Sequence, residues 1–195
     1  MALPLRWLFG LLCFMALQQA HAELPLTILN PQQAAQATPL QALRVLEDDT
    51  RSLNIRSALP LLNERGATYY GSTSLGYSAS TFWAGFRLEG AKGQQYFLEL
   101  GNPFIDEVEL WVYVRGQMIL YRSSGDLLPF SARQEPYPNF LLPLPMFGSS
   151  VQDVVLRIHS SSNLSLPIKL VPEPVKTNLI SQYWGQSGLI FGALL

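Results

Sequence analysis

From residue 81 onward, apolar and polar positions alternate with a period of two, the spacing of a half-buried strand. In 81–89, Phe82, Ala84, Phe86 and Leu88 fall on one face while Trp83, Gly85, Arg87 and Glu89 fall on the other. In 107–115 the inward set is Val108, Leu110, Val112 and Val114, against Glu107, Glu109, Trp111, Tyr113 and Arg115 outward. Gly116-Gln117 then predicts a hairpin turn into 118–121. Further strands are predicted at 96–100, 139–144, 154–158 and 166–170, separated by Pro, Ser and Gly clusters. Earlier in the chain the pattern is weaker. Residues 25–29 read as an edge strand, 44–46 as a short apolar piece, and a brief helix capped by Thr50 or Ser52 is expected to end at Leu59, before Pro60. Evenly spaced short strands with one apolar face predict an all-β protein, a jelly-roll-like β-sandwich.

The two ends read differently from the middle. Residues 1–22 place Arg6 before an apolar run, with Ala20-His21-Ala22 as a small-x-small cleavage pattern, so a secretory leader cut at Ala22 is expected. The eleven apolar residues would span about 17 Å as a helix, short of the ~30 Å core of a bilayer. At the other end, Tyr183-Trp184 opens a Gly-containing apolar stretch, the way a membrane helix begins. The reading preferred here is the start of a first transmembrane helix over 177–195; a helix packed on the domain is the other.

Composition then narrows the chemistry. Of 195 residues 48% are hydrophobic and 14% charged, with a formal charge of −1, which excludes a basic stripe for nucleic acid. Loss of the leader removes Arg6, Cys13 and His21, leaving no cysteine and His159 as the one histidine of the exported chain. Cysteine nucleophiles, disulfides and zinc sites rich in Cys or His are thereby excluded, and no cofactor or metal is expected.

The candidate site lies on the outward faces. Trp111, Tyr113, Glu109 and Arg115 share one face, and Trp83 with Arg87 share the corresponding face of the preceding strand. Aromatic faces stack on sugar C–H surfaces while carboxylates and Arg bond hydroxyls, so adjacent faces would form a carbohydrate platform. The alternative is that a segment around 53–62 covers these rings as a second small core. Three lesser candidates stand beside it. Asn102, Asp106 and Glu107 supply three oxygens of a Ca²⁺ site that needs six to eight. Glu99 and Glu109 form a conceivable glycosidase pair. Arg157, mid-strand, needs a partner, for which Glu99 or Asp106 is expected.

Four blocks, in order and spacing, resemble the second-type extracellular domain of bacterial seven-transmembrane receptors with diverse intracellular signalling modules (7TMR-DISM). They are Val45-Leu-Glu-Asp-Asp-Thr-Arg-Ser-Leu53, Leu75-Gly-Tyr-Ser-Ala-Ser-Thr-Phe-Trp83, Leu98-Glu-Leu-Gly-Asn-Pro-Phe-Ile-Asp-Glu-Val108 and Gly125-Asp-Leu-Leu-Pro-Phe-Ser-Ala-Arg133. The run from Leu156 to Pro167 fits as well. One departure is Ala84-Gly85-Phe86-Arg87 after Trp83, where the family places a bulky apolar residue and Arg. The resemblance implies a periplasmic domain similar to carbohydrate-binding modules, anchored to the inner membrane, with a diguanylate cyclase or histidine kinase further along the full-length protein. The domain organisation expected is leader 1–22, N-terminal extension 23–43, sensor sandwich 44–176 and membrane helix from 177. A ligand-sensing, non-enzymatic input domain is the leading function, binding a small molecule or carbohydrate. A stand-alone carbohydrate-binding module and a carboxylate-only glycosidase are the alternatives.

Overall fold

The computed structural model describes residues 23–30, 35–90, 92–148 and 150–192; the expected leader with Ala20 and Ala22 lies outside them, as do the last three residues. Strands β1 (Leu26–Ile28), β2 (Thr38–Pro39) and β3 (Ala42–Asp48) precede helix α1 (Ile55–Arg65). Then come β4 (Ala67–Tyr70), β5 (Thr73–Gly76), β6 (Thr81–Glu89), β7 (Tyr96–Leu100), β8 (Glu107–Val114) and β9 (Gln117–Ser124). After a 3₁₀ turn at Phe130–Ala132 follow β10 (Phe140–Pro143), β11 (Gln152–His159), β12 (Leu164–Leu166), β13 (Ile168–Pro172) and helix α2 (Glu173–Gly192).

Sheet I runs β4-β3-β6-β11-β8-β9, with β1 pairing in parallel to the far half of β6. Sheet II runs β10-β7-β13-β2, and β12 with β5 forms a small ribbon. The two sheets stack face to face over a core in which Phe86, Leu110 and Leu156 of sheet I meet Leu98, Phe140 and Leu170 of sheet II. Each such side chain contributes about 1.5–3 kcal/mol by leaving water, so the alternation legible in β6, β8 and β11 decides the architecture: a β-sandwich.

Register gives the sandwich two distinct ends. Thr81, His159, Glu107 and Ser124 align at one end of sheet I, and Leu88, Gln152, Val114 and Gln117 at the other. In sheet II, Leu100, Phe140 and Ile168 align at the end that β7 leaves towards β8. We call this the loop end, since the segments joining β7 to β8 and β9 to β10 both lie there; the opposite end carries the β8–β9 hairpin.

Two expectations shift. The helix starts later, with Asn54 as its cap: its side chain accepts from the backbone of Arg56 and Ser57 while Ser57 returns the bond, a reciprocal capping box. The helix also runs through Pro60, which sits on the exposed side, so that the carbonyl left without its N–H is open to solvent rather than buried. Burial of Ala58 and Leu62 on either side of it offsets the loss. Strands β2, β4, β5 and β12 were not legible; each is four residues or fewer, and every residue of β4 is exposed.

Candidate functional site

The outer face of sheet I holds the aromatic residues singled out above. Register sets Leu46, Trp83, Arg157 and Glu109 in one row and Gly85, Val155, Trp111 and Tyr121 in the next. Trp83 and Trp111 stack with centroids 5.6 Å apart at 25°. They are only 1% and 8% exposed, because α1 lies on them through Ala58 and Leu62, with Leu24 closing the side. Gly85 makes this possible. A Cβ there would stand 2.7 Å from the Leu62 side chain and 3.0 Å from that of Leu24, which gives a packing reason for the Ala84-Gly85 departure. Of the two readings of these faces, the small core is what covers both rings.

The other candidates fall around it. Tyr113 is half-buried at the edge of the same cluster. Glu109 accepts from the Tyr121 hydroxyl (2.7 Å) and pairs with Arg157 (2.8 Å). Arg157 also reaches Glu107 at 3.6 Å, so its partners are its cross-strand neighbours on β8 rather than Glu99 or Asp106. Arg87 donates to the Leu24 carbonyl and pairs with Glu23 at 2.7 Å. It shares a cavity of about 200 Å³ with Asn63 and Asp153. Burial pushes the Asp153 carboxyl above its usual range despite Arg87 alongside. Arg115 is not on this face: it sits exposed in the β8–β9 turn with φ +51°, next to Gly116.

The remaining sequence candidates are occupied structurally. Glu99 is buried on the outer face of sheet II, where Asn139 donates to it at 2.7 Å. It lies on the opposite side of the core from Glu109, so the two make no catalytic pair. Asn102 accepts from the Phe104 N–H and donates to the carbonyls of Asn163 and Ser165, and Asp106 accepts from the Ser161 N–H. His159 Nδ1 is 3.1 Å from the Ser80 carbonyl.

A second constellation, not foreseen from sequence, occupies the outer face of sheet II. Strand β13 passes directly into α2, with Pro172 its last residue and Glu173 the first of the helix. Pro174 lies in the first turn, where its missing N–H costs nothing. The helix folds back along the sheet, packing Val175, Leu179 and Ile180 on Phe97, Leu141 and Val171. Lys176 is held 3.0 Å from both Glu135 and Glu173, and its ammonium stands 4.4 Å from the centre of the Phe97 ring. Burial opposes its charge, yet the two carboxylates more than offset it and hold the ammonium pKa above its usual value. Further along, the Trp184 indole donates to the Pro136 carbonyl (2.8 Å) and Tyr183 meets Tyr137 edge-on.

The loop that receives these contacts, 125–139, is pinned by Arg133. Its side chain is 9% exposed, bonds the carbonyls of Tyr137 and Pro138, and stacks 4.4 Å from the Phe140 ring. Between this loop, the edge of β9 and the start of α2 runs a groove of about 450 Å³. Arg122, Glu135 and Glu173 line it together with Phe97, Pro143 and Pro145. The same two carboxylates thus face the groove and clasp the helix. The one local signal was the Glu173–Lys176 spacing; Glu135 and Arg133 reach the site from a loop with no periodicity to read.

The fold is therefore an all-β sandwich carrying one helix on each outer face. The sequence model described as 7TMR-DISM extracellular 2 matches residues 40–172, and the chain belongs to that family. A family of extracellular domains implies a periplasmic or extracellular location and a receptor's sensor role. No curated protein matches. Among solved structures, the chain is similar to one from a study of the promiscuous specificity of carbohydrate-binding modules from the β-sandwich superfamily. Identity is 10% and the TM-score 0.28, with 69% of this chain and 54% of that chain covered, so this chain spans about half of that one. Among the described residues, no helix is long and apolar enough to cross a membrane.

Proposed function

We propose that this chain is the periplasmic, ligand-sensing input domain of a bacterial receptor anchored in the inner membrane, with its transmembrane and cytoplasmic output modules elsewhere in the full-length protein. The domain binds rather than catalyses. The observation that carries the reading is the unbroken passage of β13 into α2, clasped by Lys176 between two carboxylates that also line a groove. A ligand bound there changes the environment of Glu135 and Glu173 and so shifts how firmly α2 is held, which is a differential interaction between two states. The groove suits a small hydroxyl-rich ligand such as a mono- or disaccharide: carboxylates accept from hydroxyls, Arg122 donates, and Phe97 with the prolines faces C–H surfaces. The rings of Trp83 and Trp111 are covered, which favours the groove over the outer face of sheet I.

The test is a thermal-shift panel of neutral mono- and disaccharides on residues 23–195, followed by hydrogen exchange across α2. The expected result is a stabilising sugar whose effect is lost in Arg122→Ala but kept in Tyr113→Ala, with altered exchange at 176–187. A sugar whose effect survives Arg122→Ala and is lost in Tyr113→Ala moves the site to the outer face of sheet I. Binding with no change in α2 leaves a carbohydrate-binding module without a signalling role, and no binding at all overturns the proposal.

A further inference from the structure

The loop end of the sandwich carries a contiguous apolar surface. Leu127, Leu128 and Phe130 are 71%, 44% and 49% exposed, and Phe104 is 63% exposed. Two backbone bonds zip their loops together, Asp126 N–H to Ile105 O (2.8 Å) and Leu127 N–H to Asp106 O (3.4 Å). Gly125 lies so close against the Asp106 carbonyl that no Cβ fits there. The segments 102–105 and 127–132 contain no charged residue, and the half-exposed carboxylate of Asp126 that borders them pairs with Arg133 at 3.7 Å, so shallow burial of the apolar side chains leaves that charge at the rim and partnered. Ile28, Met118, Ile119 and Met146 are exposed at the opposite end too, but there Ile119 and Met146 share the lining of a cavity of about 420 Å³ with Arg115, Gln117, Ser150 and Gln152, so that end is mixed polar and apolar.

What gives this patch a partner is the course of α2. The helix starts at the hairpin end, where Pro172 pairs with Tyr96, and runs back along sheet II. The eleven steps from Glu173 to Trp184 cover about 16 Å, close to the length of the five-residue strand β7 beneath. Trp184 and Tyr183 therefore arrive at the loop end, where they contact Pro136 and Tyr137 of the patch-bearing loop. Trp and Tyr with polar tips are the side chains that settle at the lipid headgroup boundary.

We propose that the loop end is the membrane-facing surface of the domain: Leu127, Leu128, Phe130 and Phe104 insert shallowly into the outer boundary of the bilayer beside Tyr183 and Trp184. The occupant is a lipid surface, engaged through apolar contact rather than charge. This rests on the receptor reading for the presence of a membrane but not on the groove or on any ligand.

The experiment uses the whole chain in a Cys13→Ser background, bound to phosphatidylcholine vesicles, with an environment-sensitive fluorophore at Leu127→Cys or, as the opposite-end control, Met146→Cys. The expected result is a blue shift and quenching by shallow spin-labelled lipids at 127 and neither at 146. A triple L127S/L128S/F130S variant, altering exposed side chains alone, is expected to lower vesicle binding by at least about tenfold. Equal signals at 127 and 146, or none at either, overturn the proposal. A blue shift at 127 without lipid that grows with protein concentration overturns it in favour of a second copy of the chain. The sugar titration runs without lipid, so either reading can fail alone.

Discussion

Helix α1 rests on sheet I through Ala58 and Leu62, against Trp83, Trp111 and Val155; α2 rests on sheet II through Val175, Leu179 and Ile180, against Phe97, Leu141 and Val171. The first contact is aromatic, and Leu62, Trp83 and Val155 in it are no more than 1% exposed. Both ends of α1 are tied locally, by the Asn54 capping box and by the Gly66 N–H bonding the Leu62 carbonyl. The second contact is smaller, its helical residues are only partly buried, and polar ties complete it: Lys176 with Glu135 and Glu173, and Trp184 with Pro136. A cover made of dry aromatic packing opens only with the whole domain. One that leans on partly exposed polar contacts opens locally at lower cost. The sandwich thus has a fixed face and a releasable face, and the releasable one leads out of the domain.

The largest expected effect breaks the fixed face. Trp83→Ala removes the ring on which α1 sits and should cost about 3–5 kcal/mol of global stability, read as a lower urea midpoint with unchanged slope. A loss under about 1 kcal/mol would mean that α1 is no part of the cooperative unit. Gly85→Val tests the same interface by overfilling it, with an expected cost of about 1–3 kcal/mol. Combined with Leu62→Ala, it should cost less than the sum of the single changes by at least about 0.5 kcal/mol, since the new side chain occupies the space vacated.

The anchor of the segment leading into α1 has a pH signature. Asp48 is buried, and although burial raises its pKa, the N–H groups of Leu53 and Ser52 and the Thr50 hydroxyl more than offset this and hold it below the usual 3.8. The carboxylate's contribution is therefore present above the unfolded value and is lost as pH falls through the lower folded value. Asp48→Asn should cost about 1–2 kcal/mol at pH 7, with the difference shrinking as pH falls below the usual carboxylate range. An undiminished difference at pH 2 would show that the cost is packing rather than charge. On the releasable face, Lys176→Met should change global stability by less than about 1 kcal/mol, because the clasp is partly exposed. Amide exchange in 176–187 should nevertheless accelerate while that of β6 and β11 stays unchanged; parallel acceleration in both would erase the distinction between the faces.

Much of this architecture can be read from the chain alone, for an identifiable reason. Strands β6 and β7 match their expected bounds because each sets alternate residues into the common core and is followed at once by a glycine, Gly90 and Gly101. The short strands are invisible because tertiary pairing, not local pattern, makes them extended. Trp83 and Trp111 stood out as exposed-face aromatics, and period two does place them there. Sequence leaves open whether that outer face is solvated or roofed by the segment around 53–62; α1, which ends at Arg65, is that roof, and Gly85 is the local sign of it. The clasp was illegible for the complementary reason. Lys176, Glu135 and Phe97 come from a helix, an irregular loop and a strand, and meet only once α2 has folded back.

The smallest expected effect has the opposite sign and sharpens the contrast between polar groups under the two helices. Asp153 sits at the side of α1, across from Arg87 and near Glu23, in the cavity shared with Asn63. Burial lifts its pKa, Arg87 lowers it, Glu23 lifts it again, and the net result lies above the usual 3.8. A group with a raised folded pKa stabilises the fold below its unfolded value, and that contribution is lost as pH rises through the folded value. At pH 7 the ionised Asp153 is therefore a net cost, unlike the ammonium of Lys176, whose charge its partners favour. Asp153→Asn removes the cost without changing the shape of the side chain. It should raise stability at pH 7 by less than about 0.5 kcal/mol, and by nothing near pH 3, where the wild-type carboxyl is already protonated. Paired thermal melts at the two pH values decide it. A loss at pH 7 would make Asp153 and Arg87 a true clasp under α1, and the fixed face would then share the chemistry of the releasable one.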